Sequence, residues 1–167
     1  MTSAIRAVPE GYHTVTASIT CKGAARAIEF YKSAFGAKVK LCMESPDGRV
    51  NHAELQIGDS VIFMGDEYPG MTAAPDPGAL PSASIYLYVE DADATFNQAV
   101  NAGAQPSMPV TTMFWGDRHG KVVDPFGHQW GIATHVEDVS GEEMERRAKE
   151  WMAQMNAKSM AANAGQD

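Results

Sequence analysis

Two cysteines, Cys21 and Cys42, are all the thiols in a chain of 167 residues. They are too few for a disulfide framework or a cysteine-bound zinc site, so a reducing cytoplasm is the expected compartment. No apolar run approaches the roughly 18–20 residues of a membrane span. The opening MTSAIRAVPEGYH has one arginine and no apolar core, which is not the pattern of a secretory signal. Basic residues are the minority, 13 against 21 acidic, for a net charge of −8. That balance argues against nucleic acid as a partner, because phosphate binding needs a basic face. There is no GxGxxG, no P-loop and no GxSxG. Neither cysteine lies beside a base at a helix start, apart from Lys22 next to Cys21, so no nucleophile constellation is visible.

What is present is an ordinary globular composition, 44% hydrophobic and 20% charged, enough for one domain or two small modules. The most informative stretch is Asp117–Trp130, DRHGKVVDPFGHQW. A short β-type run leads into Asp124-Pro125-Phe126-Gly127, where proline fixes φ and glycine supplies the unusual φ of a tight turn. A weaker copy precedes it: Asp47-Gly48-Arg49, then Ala53–Ile57, Gly58-Asp59 and Val61–Met64. Pairing Arg49 with Arg118 and Gly58 with Gly127 implies a duplicated unit.

Each unit reads β-α-β-β-β. In the first, Tyr12–Thr20 is a strand by its β-branched content. Ala24–Phe35 has helical spacing at Ala24, Ala27, Ile28, Tyr31 and Phe35, and Gly36 stops it. Lys38–Glu44, Val50–Ile57 and Val61–Met64 complete the unit. Residues 66–82 hold four of the nine prolines and read as a linker. In the second, Ala83–Val89 is a strand and Ala92–Asn101 a helix capped by Asp91 or Asp93 and stopped at Gly103. Strands at Ser107–Thr112, Gly120–Val123 and Gln129–Thr134 follow, with a loop at Met113–Gly116. Ser140 and Glu143 form a capping box for a final helix to about Lys158, striped by Met144, Ala148, Trp151, Met152 and Met155. The expected divisions are an arm at 1–11, modules at 12–65 and 83–139 about the linker, and a helix at 140–160 ahead of a frayed end.

A repeated unit with AIEFYKSAFGA (Ala27–Ala37), YVEDADATFNQAVNAGA (Tyr88–Ala104) and DPFGHQWGIATH (Asp124–His135) resembles the vicinal oxygen chelate superfamily of glyoxalases, bleomycin-resistance proteins and dioxygenases. GDRHGKVVDPFGHQW with HAELQIGDSVIFMGDE (His52–Glu67) is most similar to its PhnB-like branch. The resemblance implies an α+β fold of paired βαβββ modules, a cupped mixed sheet with helices outside, and a homodimer. The methyltransferase label often given to that branch finds no support, since no glycine-rich cofactor turn is present.

The resemblance also implies four metal positions, which fall near Thr16–Ser18 and on Ile62, Ser84 and Gly131. None offers a strong donor, so the usual metal site is expected to be lost and no cofactor is expected, unless a divalent ion binds a shifted site of His52, Glu54 and His128. His52 and Glu54, two apart on one strand, share a face and are the candidates for acid–base chemistry; the plain alternative is a polar outer face. Tyr86 and Tyr88 share a face with Ser84 and line either a pocket or a core. Phe114 and Trp115 suit a pocket rim or dimer packing. Arg118 is a partner for a ligand anion or for Asp117 or Asp124. Trp130 faces the helices, and His13 is a surface residue. The expected function is binding of a small molecule in the cup, in the manner of a resistance protein. The alternatives are a metal-dependent lyase, isomerase or dioxygenase, and a non-catalytic interaction domain using the tail helix.

Overall fold

The computed structural model describes residues 5–76 and 78–164, with side chains as far as residue 157. The first unit comprises β1 (Ser18–Cys21), α1 (Ala24–Phe35), β2 (Lys38–Glu44), β3 (Val50–Ile57) and β4 (Ser60–Asp66). The second comprises β5 (Ser84–Tyr88), α2 (Ala92–Asn101), β6 (Gln105–Thr112), β7 (Asp117–Val123) and β8 (Gln129–His135), followed by α3 (Gly141–Ala164). The two mixed sheets have one topology, β1-β4-β3-β2 and β5-β8-β7-β6. In each, the first strand runs parallel to the last and the others pair antiparallel.

The helices start in matching ways. Asp66, at the end of β4, accepts the amides of Gly23 and Ala24 at 2.8 Å and that of Val50 at 2.9 Å. Thr134, near the end of β8, accepts the Ala92 amide at 2.8 Å and donates to the Val89 carbonyl at 2.9 Å. Each last strand therefore satisfies orphan donors of its unit's helix. Asp91, not Asp93, is the α2 cap, accepting from the Ala94 amide at 2.9 Å. Gly36, at φ 65°, closes α1 while the Ala37 amide reaches back to the Tyr31 carbonyl.

One core serves both units. Alternation buries Ala53, Leu55 and Ile57 of β3, with Ile62 and Met64 of β4, beneath α1. Trp130 and Ile132 of β8 join them, as helix-side packing predicts. Helix α1 reaches across the units: Tyr31 and Phe35 lie 5.4 and 4.6 Å from Trp130. Asp124 ties this contact together. Its Oδ2 accepts from Tyr31 at 2.7 Å and Trp130 Nε1 at 2.9 Å, and its Oδ1 from the amides of Phe126 and His128. The sequence marks Asp124 only as a turn residue.

Several expectations are corrected. Strand β1 is four residues long, and Tyr12 belongs to the preceding arm, folded back so that its ring lies 6.1 Å from Phe63. The seventeen residues 67–83 between β4 and β5 carry, among those described, one isolated bridge, Tyr68 with Thr72. Strands β6 and β7 start earlier than read, at Gln105 and Asp117. Helix α3 continues past Lys158 to Ala164, and residues 165–167 of the expected frayed end lie outside the described residues.

The repeat register is also one residue off. Ser18 pairs with Phe63 and Tyr86 with Gly131, so Phe63, not Ile62, corresponds to Gly131. Ile62 is buried on the helix side. The slip arises because Gly58 lies in a two-residue turn, Ile57 pairing with Ser60, whereas Gly127 lies in a five-residue one, Val123 pairing with Gln129. A one-residue slip exchanges a strand's faces.

Candidate functional site

The cup side of the second sheet carries Ser84, Tyr86 and Tyr88 from β5, Asp117, His119 and Lys121 from β7, and Gly131 and His135 from β8. Asp117 is 3% exposed. Its Oδ2 accepts from the hydroxyls of Tyr86 and Tyr88 and from Trp115 Nε1, each at 3.1 Å. Its Oδ1 lies 2.8 Å from His135 Nδ1, and His135 Nε2 lies 3.0 Å from Asp138. Burial pushes the Asp117 carboxyl up, but donation from His135, Tyr88, Tyr86 and Trp115 outweighs it and leaves the group below its ordinary value. Asp117 is thus a buried anion whose charge is met by four side-chain donors.

Beside it, His119 is 2% exposed and stacks on Tyr86 at 4.9 Å and 13°. Its Nδ1 is buried without a hydrogen-bond partner. Burial, and then the charge of Lys121, lowers its pKa, so the ring is neutral at pH 7. The stack fits because residue 131 is glycine: a Cβ there would stand 2.9 Å from His119 Cε1 and 3.0 Å from Tyr86 Cδ2. Tyr86 and Tyr88 nonetheless remain 43% and 63% exposed, so the cup is open. Phe114 packs edge-on against Trp115 at 4.9 Å and meets Trp151 of α3 at 5.7 Å, which makes the tail helix part of the rim. At the far end of β5, a groove of about 650 Å³ is lined by Phe35, Ile57, Leu87 and Val89 and includes Tyr88 and His135.

Asp117 and His119 are not among the sequence candidates, although the two-residue period of a strand puts both on one face of DRHGK. Arg118, a sequence candidate, is not in the cup. It lies on the opposite face and pairs with Asp93 of α2, with Nη2 2.7 Å from Oδ1. Neither Asp117 nor Asp124 is its partner.

The first cup gathers the other candidates. His52 Nε2 lies 3.3 Å from Glu54 Oε1, and Tyr12 of the arm donates to Glu54 Oε2. Lys40 sits 4.4 Å over the Tyr12 ring. The Tyr12 hydrogen bond holds the Glu54 carboxyl below its ordinary value, the reverse of a general base poised near neutrality. His128 does not join them. Its Nε2 lies 3.0 Å from the Thr20 carbonyl and 3.7 Å from Cys21 Sγ, and burial pushes the Cys21 thiol up to about 12. Among the described residues, no three His, Cys, Asp or Glu side chains group as a metal ion would need.

Comparison with known proteins agrees with this architecture. The glyoxalase/bleomycin resistance protein/dioxygenase superfamily model matches residues 12–132. An uncharacterized protein of Mycobacterium bovis is 37% identical over 126 residues, spanning 73% of this chain and 83% of its own. An Arabidopsis thaliana gene product of known structure is 31% identical with a TM-score of 0.58, covering 72% of this chain and 98% of its own. TioX from Micromonospora sp. ML1 shares the fold at a TM-score of 0.61 and 22% identity, covering 74% of this chain and 99% of its own. With this match over most of its length, and with two four-stranded mixed sheets, outer helices and a C-terminal helix, the chain belongs to the glyoxalase/bleomycin resistance protein/dioxygenase superfamily.

Proposed function

We propose that this chain binds a small organic molecule in the second cup, without a metal ion, as a sequestering protein of the PhnB-like kind. The observation that carries the reading is the Asp117 cluster. Four side chains, Tyr86, Tyr88, Trp115 and His135, hydrogen-bond one buried carboxylate, and Tyr86 also stacks on a buried imidazole, at the floor of an open aromatic cup. An aromatic cup with a few oriented polar groups is the usual build of a small-molecule site. A fold-only likeness to fosfomycin resistance protein FosX from Mesorhizobium loti is compatible with it. A fold-only likeness to a PhnB protein from Bacillus cereus is compatible with the branch.

The residues at the superfamily's metal positions do not fit a divalent ion. Phe63 and Gly131 hold two of them, and Thr16 and Ser84 stand on the first strands' side. A carboxylate at 131 would collide with the His119–Tyr86 stack. A second copy of the chain is the expected partner, because Leu41 and Met43, which pair with Glu54 and His52 on the cup face of the first sheet, are exposed. The expected setting is the cytoplasm; no described helix is long and apolar enough to cross a membrane.

A thermal-shift screen on the whole chain tests the reading. A ligand at a hundred times its Kd adds about 2.7 kcal/mol, several degrees in Tm. The shift should vanish in the Tyr86→Ala/Tyr88→Ala double variant. Hits that survive in that variant overturn the location. Stoichiometric metal in untagged protein, lost in His52→Ala, overturns the metal-free part.

A further inference from the structure

We infer that the second cup selects a cationic head group, a protonated amine or amidinium carried on an apolar body. This rests on the ligand-binding reading above and names the class of ligand. The argument is a count of protons. A tyrosine hydroxyl has one proton to donate and lone pairs to accept with. Tyr86 and Tyr88 both direct theirs to ionised Asp117 at 3.1 Å, and Trp115 spends its only N–H there too. What these groups still present to an incoming molecule is lone pairs and π faces.

His119 adds nothing to the donor side. It is neutral, and hydrogen bonding to the Ile132 backbone uses one ring nitrogen, which leaves Nδ1 as a lone-pair nitrogen without a partner. A site made of acceptors repels a carboxylate or phosphate and holds an N–H donor. The ring faces of Tyr86 and Tyr88, 5.0 Å apart, attract positive charge through their quadrupoles. The carboxylates of Asp117 and Asp138, bridged by His135, add to that field.

Two cations oppose it: Lys121, on the far side of His119 along β7, and His135, which as an imidazolium between two carboxylates still leaves that group with one net negative charge. This places the positive head group on the Tyr88 ring, at the end of β5 away from Lys121. Tyr88 and His135 also border the groove whose apolar walls, Phe35, Ile57 and Leu87, lie round the free edge of β5 on the helix side of the sheet, with room there for a ring system.

Three probes of one shape separate the charges: 2-naphthylmethylammonium, 2-naphthylmethanol and 2-naphthoate, followed by quenching of tryptophan fluorescence on the full chain. The ammonium should bind about tenfold tighter than the alcohol, the size expected of a partly desolvated cation–π site, and the carboxylate weakest. Tyr88→Phe removes an acceptor without removing the ring. It should weaken the ammonium severalfold and leave the alcohol within about twofold. If all three bind alike and the Tyr86→Ala/Tyr88→Ala variant abolishes binding, the cup is a ligand site and the charge inference is wrong. The charge inference is equally wrong if naphthoate binds tightest. If no probe binds, or binding is indifferent to that variant, both the inference and the location fall.

Discussion

Replacing Gly131 by alanine adds one carbon to the cup and tests the register on which the site depends. The new Cβ would stand 2.9 Å from His119 Cε1, 3.0 Å from Tyr86 Cδ2 and 3.4 Å from Tyr86 Cε2. Ordinary contacts of this kind begin near 3.4 Å, so two neighbours must each move by several tenths of an ångström. Tyr86 is 43% exposed and can swing outward, whereas His119 is buried and cannot. Overpacking of this kind costs about 1–3 kcal/mol, and the lost chain entropy of glycine returns about 0.5–1 kcal/mol. The net expectation is a destabilisation of about 1–2 kcal/mol, or roughly 2–8 °C in Tm for a chain of this length. Differential scanning calorimetry reads the shift, and histidine side-chain NMR reads whether His119 loses the ring-current effect of Tyr86. An unchanged Tm with an unchanged His119 signal would mean that residue 131 does not face the cup, and the site would have to be rebuilt.

Asp124→Ala strands the buried Tyr31 hydroxyl and Trp130 indole N–H, so a loss of about 2–6 kcal/mol is expected in urea unfolding; a loss under 1 kcal/mol would show that Asp124 does not join the units. By NMR, His119 should titrate below 6.5, from burial and then Lys121, and His135 above it, from Asp138 and then Asp117. Their contributions to stability run oppositely: that of His119 is full above 6.5 and lost as pH falls through its lowered pKa, that of His135 is full below 6.5 and lost as pH rises through its raised one. Asp117→Asn should bring the His135 midpoint down, and an unmoved midpoint would refute the pairing. Arg118→Ala should change stability by less than about 1 kcal/mol and leave cup ligands unaffected, since its bond to Asp93 is half-exposed; lost ligand affinity would return Arg118 to the site.

The fold was legible because both of its periodicities are strong. Apolar spacing in Ala24–Phe35 and alternation in Val50–Ile57 mark the helix and strand faces, and Trp130 follows from alternation alone. The site was only half legible. Tyr86 and Tyr88 fall on the cup by strand parity, and Trp115 by its loop. Asp117 and Arg118 are adjacent, and parity decides between them: Asp117 turns inward and Arg118 outward to a helix that the local sequence does not show beside it. Starting β7 at Gly120 instead of Asp117 hid that parity. The Ile62 assignment failed for a related reason, because glycines in turns of different length are not equivalent markers.

The same parity explains why the two cups are not equivalent. Both present an aromatic ring beside a carboxylate and a histidine: Tyr12 with Glu54 and His52, and Tyr88 with Asp117 and His135. In the first, the aromatic comes from the arm and donates to a partly exposed carboxylate, beside a groove of about 380 Å³ between the arm and Glu54 and Phe63. In the second, the tyrosines rise from β5 itself and donate downward to a carboxylate at the base, leaving their faces and lone pairs toward the opening. In the first the carboxylate is met from the side by the arm; in the second it is met from above by the strand's own tyrosines. The two units thus differ in where the chain supplies the tyrosine: from the arm in the first, from the strand in the second.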